Sequence, residues 1–380
     1  MNINRFQDML YSGQLTRRET KKILASMGIG TVMLPSIGGT ASAAPEDHPL
    51  FFTWVGYDSP EFMVHCIEKY GEEPRYSYFD SEDDGFQKMR AGFEPDMHFP
   101  CSAVLPLWND AGLLAPVDTS LLSNWPDVLD VFKSAPSTVI DGNRVYVPED
   151  WGQTSILIRT DLAPEFADPE NQSWTALWDE RYAGRIAMTN YSYIIFAATA
   201  LVSGFKPWDM TSEEMEACAD LLRKQMPLNR IITDSNTELG QALASGEVVM
   251  AVAENSLIWD VQEAARGTDI EWTWIVPKEG ALTWHCGLSI HPAAIRNGMY
   301  EKCHEVIDSM ISPEAGAFEI ENWNYGHSNR RSYDGFSDEF LRSIGLAKDV
   351  DAFLGQTAFV QEMNDIKMIT ELWEAVKAGF

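Results

Sequence analysis

From Pro49 onward the apolar residues switch repeatedly between a period of two and a period of 3.6, and that alternation restricts the chain to strands interleaved with helices. Residues 50–54 form a short apolar run suited to a buried strand. Ser59-Pro60, a capping residue and a first-turn proline, opens a segment with Phe62, Met63, Cys66, Ile67 and Tyr70 on one helical face. Residues 75–79 alternate again, Phe86 and Met89 mark a helix, 97–99 a strand, and Leu107, Trp108 and Ala111 another helix. This β-α-β-α order predicts an α/β fold, a sheet covered by helices on both faces. Asp141-Gly142 predicts a hairpin over 139–147, because Asp-Gly supplies the positive φ angles of a tight turn. A second α/β set follows, with strands at 156–158, 185–188, 248–252, 272–276 and 288–290 and helices over 192–202 and 212–224; the tail from Tyr300 is mostly helical and closes with 368–376. At 380 residues the chain exceeds one ordinary core, so two lobes joined by extended crossings are expected.

The first 43 residues have a different composition. Arg17, Arg18, Lys21 and Lys22 lead into an apolar stretch over 23–37, followed by Ala41-Ser42-Ala43. Charged, apolar, then small is the order of an export signal, with cleavage near Ala43 and a periplasmic destination. The apolar part is interrupted by Gly28, Gly30 and Pro35, and it is short of the roughly 20 residues that cross a bilayer. Thr16-Arg17-Arg18 with Lys22 is similar to a twin-arginine signal, although Thr20 and Lys21 stand where that signal carries Phe and Leu, so the general secretory route stays open.

A net charge of −29 argues against nucleic acid, whose phosphates need clustered Lys and Arg. It fits a solvated acidic coat first and attraction of cationic ligands second. The five cysteines, Cys66, Cys101, Cys218, Cys286 and Cys303, contain no C-x-x-C pair; an odd count leaves at least one thiol free, and the pairing is not legible. Asp80 to Gly85 echoes the start of a calcium loop, but Ala91 occupies the position of its bidentate Glu, so it reads as an acidic helix cap. Neither H-E-x-x-H, G-x-S-x-G, G-x-G-x-x-G nor a phosphate loop is present, and the expectation is a binding protein without cofactor or metal, not an enzyme.

Four blocks in order resemble the periplasmic spermidine/putrescine-binding proteins of ABC importers: 52–57 (FTWVGY), 174–178 with 182–185 (WTALW, YAGR), 246–255, and Pro277-Lys278-Glu279-Gly280 leading to Trp284. The resemblance covers roughly residues 49–330. It implies a two-lobed periplasmic-binding-protein-like fold of type II, each lobe a central sheet flanked by helices, with a hinge of crossing strands near 153–160 and 284–291. The first lobe would be 44–153 plus 285–322 and the second 154–284 plus 323–380. It further implies a monomer that closes on a small ligand and delivers it to permease subunits in the inner membrane; a receptor feeding a membrane sensor without transport is the alternative.

An amine or ammonium ligand calls for π faces and a carboxylate. By the resemblance, Trp54, Tyr57, Trp284 and Tyr325 match ligand-enclosing aromatics, and the 100–103 turn, with Cys101 and Ser102, matches a ligand-facing turn whose tyrosine is Ala103 here. The family's acids fall instead on Tyr191, Ile194 and Cys286. Glu254 offers one carboxylate, with Asn190, Asn255 and His285 as further polar candidates. A stretched polyamine wants acids at both ends, so one acid among aromatics predicts a single cationic head. No Arg or Lys falls at a matched position, which argues against an anion.

Overall fold

The computed structural model describes residues 47–379 apart from Asp234 and Gln356. The expected export segment, residues 1–43 with its cleavage point near Ala43, lies outside the described residues. No helix among the described residues is long and apolar enough to cross a membrane.

Strand β1 (Leu50–Thr53) lies between β2 (Arg75–Tyr78) and β3 (Met97–His98), parallel to both. Asp141 and Gly142, at φ of 50° and 79°, turn the expected hairpin between β4 (Val139–Ile140) and β5 (Asn143–Arg144). A twelve-residue strand follows, β6 (Val147–Ile158), buried throughout. In the second half of the chain β7 (Ile186–Met188) runs parallel to β8 (Asn229–Ile232) on one side and β9 (Met250–Glu254) on the other. Then come β10 (Thr273–Trp274), β11 (Leu282–Ile290), β12 (Gly326–His327) and β13 (Ala358–Phe359).

The strand order β2-β1-β3-β11-β6-β9-β7-β8 makes the architecture plain. Two parallel half-sheets are joined through one antiparallel pair, β6 with β11, registered from Leu288↔Val147 to Leu282↔Thr154 with an irregularity between Cys286 and Gly287. These are the crossing strands. β6 begins at Val147, earlier than the expected crossing at 153, and extends the lone 156–158 strand that periodicity finds.

Both faces of each half-sheet are covered, which is why these strands read as apolar runs. Phe51 packs with Phe62, Met97 and Ile307 on one face, while Phe52 packs with Phe79, Trp108 and Tyr146 on the other. In the second half-sheet Ile156 and Ile158 meet Trp174, Phe196 and Leu222, and Leu157 between them meets Leu243 and Val261. Helix Ser212–Gln225 starts on a reciprocal cap between Thr211 and Glu214, and Ser192–Ser203 stops at left-handed Gly204. The tail divides its packing: Tyr333, Leu341 and Leu354 share a core with Leu129, Phe132 and Ile320, whereas Val360, Ile369 and Trp373 join that of Ile156.

Candidate ligand cleft

The crossing strands decide what faces the gap between the half-sheets. Trp284 of β11 pairs with Gly152 of β6. A Cβ at position 152 would fall 2.2 Å from the Trp284 ring and 2.6 Å from Asn255 Oδ1, so only glycine lets the indole lie across the strand. The Trp284 ring packs against core residues of both half-sheets and meets Tyr325 edge-on with centroids 5.0 Å apart, and its buried indole nitrogen has no hydrogen-bond partner among the described residues. Two residues along β6, Thr154 pairs with Glu254 at the end of β9. Burial raises the Glu254 carboxyl above its ordinary range, and its charge in turn helps raise the Tyr325 phenol. Glu254 lines a cavity of about 80 Å³ together with Thr154, Thr189, Tyr191, Asn236 and Ala253. Glu254 and Tyr191 are thus brought together, as are Trp284 and Tyr325, but the cavity does not reach Trp54 or Trp284.

The remaining expected residues are placed differently. Trp54 donates its indole N–H to the Phe99 carbonyl at 3.0 Å and stands edge-on to Phe79, half-buried on the first half-sheet. Tyr57 is buried among Phe62, Phe99 and Trp323, and its hydroxyl donates to Asp150 rather than standing free for a ligand. Cys101 and Cys286 form a disulfide with each other; Cys66, Cys218 and Cys303 are buried thiols. Ser102 is buried with its hydroxyl 3.5 Å from the Val360 carbonyl, and Ala103 packs on the second half-sheet's core. Asn190 accepts from Trp373 Nε1 and Lys377 Nζ at 3.1 and 2.8 Å, which ties it to the final helix, Ile366–Ala378. Asn255 clamps β6, accepting from the Gln153 N–H and donating to the Asn324 carbonyl. His285 is enclosed beside Tyr146, and burial lowers its pKa to about 3, which keeps the ring neutral.

Three acids near this floor were not singled out by the sequence reading. Asp150 accepts from Tyr57 and from the Cys286 N–H, and burial raises its pKa to about 8. Neighbouring Glu149 is enclosed as well. Two adjacent acids inside a long buried strand are the signal that would have drawn notice. Glu82 opens helix Glu82–Arg90 as the acidic cap predicts, with Ser81 accepting from the Asp84 N–H. Yet its carboxylate turns inward to accept from the Cys101 N–H at 2.7 Å, and burial raises its pKa to about 8. A larger cavity, about 830 Å³, lies between residues 272–276 and 330–353 and touches none of the expected site residues.

The model of the bacterial extracellular solute-binding proteins matches residues 75–340. The chain belongs to that family. It is 24% identical over 344 residues to the spermidine/putrescine-binding periplasmic protein of Salmonella typhimurium, covering 89% of this chain and 94% of that one. It is also 24% identical over 380 residues to the putrescine-binding periplasmic protein PotF of Escherichia coli, covering 94% and 98%. The fold is that of the spermidine/putrescine ABC transporter substrate-binding protein PotD of Streptococcus pneumoniae, with a TM-score of 0.73 at 18% identity over 87% of this chain and 99% of that one. This solute-binding protein is therefore two-lobed and α/β, a member of a family of substrate-binding proteins whose relatives include spermidine/putrescine-binding proteins.

Proposed function

We propose that this chain is the periplasmic substrate-binding subunit of an ABC importer and that it captures a small solute with one amine or quaternary ammonium head by lobe closure. The names of its relatives support the transport role and the amine class. Residues 44–153 with 285–322 would form one jaw, and 154–284 the other, joined by the tail from about Ala358 as its packing suggests. Glu254 carries the single-headed reading. Among the described residues it is the one acid lining that cavity, its described neighbours there are hydroxyls, an amide and apolar groups, and no hydrogen bond or ion pair among them engages its carboxylate. Asp150, Glu149 and Glu82 are enclosed elsewhere in the floor, so among the described residues no second acid lines that space to receive the far amine of a polyamine. Tyr191, which lines the same cavity, would supply a π face there, and Trp284 and Tyr325 would reach the ligand as the lobes close.

Calorimetry against betaines, amino acids, putrescine and spermidine tests this. Tight binding of single-headed amines is expected; tight putrescine or spermidine binding with no response to the others overturns the single-headed reading. Glu254→Gln should weaken binding by about 1.5–3 kcal/mol, the range for a charged hydrogen bond. Because burial raises the Glu254 carboxyl and a cation needs it ionised, affinity should decline on acidification at a pH above that expected for an exposed glutamate.

A further inference from the structure

Behind Tyr57 the interior holds a second cluster that the ligand cleft does not use. Glu149 of β6 and Glu319 of helix Pro313–Trp323 are completely enclosed, and among the described residues none of their four carboxylate oxygens has a hydrogen-bond partner. Their neighbour is His327 of β12, whose Nε2 lies 3.6 Å from a Glu149 oxygen. One ligand atom from each of the three lies within 4.8 Å of the others. Among the described residues no Lys or Arg pairs with either glutamate. Two carboxylates removed from water without compensation are strongly unfavourable. Two protons would also remove the charges; one divalent ion does so while both groups stay ionised, and it engages oxygens from each side.

We propose that Glu149, Glu319 and His327 bind a divalent metal ion, borderline Zn²⁺ or the harder Mn²⁺, which two carboxylates and an imidazole suit. His327 can present Nε2 to the ion in the tautomer that carries its proton on Nδ1, because Nδ1 lies 3.0 Å from Ser332 Oγ, which accepts that proton in a hydrogen bond. The exchange gives up the present contacts of the ring with the Met310 carbonyl and the Asn329 N–H. The ion fastens helix Pro313–Trp323 and β12 to β6. Asp150, next along β6, holds Tyr57 and the Cys286 N–H, so the metal braces the floor on which the cleft is built.

The full chain, loaded with Zn²⁺ or Mn²⁺ and dialysed against metal-free buffer, should retain about one equivalent by elemental mass spectrometry. Its thermal midpoint should fall with EDTA and recover when the metal is restored. Glu319→Gln should retain less than a tenth of an equivalent and show no response to EDTA. A wild-type protein that keeps no stoichiometric metal and whose midpoint ignores both additions overturns the site, as does Glu319→Gln holding as much metal as wild type. Should that variant fail to fold, the wild-type metal count and EDTA response still decide the matter. Neither readout depends on which solute the cleft takes.

Discussion

Asp150 and Thr154 sit four residues apart on β6, and the acids at these two places have opposite surroundings. At the Asp150 end the strand is sealed by Tyr57, the Cys101–Cys286 disulfide and the His327 strand, and every polar atom of the Asp150 carboxylate is assigned to a protein donor. At the Thr154 end Glu254 faces a small cavity, and among the described residues no donor reaches its carboxylate. A carboxylate saturated by its own protein holds structure together; one left facing a space can receive a charge from outside. What covers an acid, more than the acid itself, sets its role.

The largest expected effect comes from unfastening the sealed end. Replacing Cys101 and Cys286 together with Ser opens a loop closed across 185 residues and should cost about 2–5 kcal/mol in denaturant unfolding. Unchanged stability would mean that the first half-sheet does not rely on that link. Next, Tyr57→Phe deletes the donor to Asp150 and should cost about 1–3 kcal/mol of stability while ligand affinity stays within about threefold. The reverse pattern, lost affinity with stability intact, would move the Tyr57 hydroxyl into the cleft and erase the contrast with Glu254. The last effect grows with pH. Burial holds Glu82 at a pKa of about 8 against an ordinary 4.5, so the folded state binds that proton more tightly; the stabilisation is complete below about pH 4.5 and is lost as pH rises toward 8. Glu82→Gln should therefore gain stability relative to wild type over that window, by ~1.4 kcal/mol for every tenfold difference in proton affinity between the folded and unfolded chain. Parallel stability curves for the two proteins would show that Glu82 ionises freely.

Much of the architecture is readable from local signals, because those signals span few residues. Asp141-Gly142 places the hairpin, the Thr211 cap starts its helix, and the period of two or 3.6 marks most other elements within a few residues. β6 is only partly recognised, since a strand buried on both faces shows no alternation and its Glu149-Asp150 pair resembles a polar loop. The site is harder. Tyr57 meets its acid 93 residues away, and Cys101 its partner at 185, and nothing local announces either contact. Glu82 has all the features of a surface cap; its inward turn is set by Cys101, which comes from another element. Glu254 lies beside Tyr191 because β9 pairs with both β6 and β7, a register that no single stretch contains.

The Cys101–Cys286 link also limits how the molecule can move. From Cys286 to Ile290, β11 is tied to the turn at 100–101 and to β3, so that stretch must travel with the first half-sheet as one rigid piece. Any swing of the opposite half has to be absorbed on the far side of the bond, over Leu282 to His285 and the matching part of β6. Trp284 lies inside that short pivot, so a change in the angle between the halves is also a rotation of the indole.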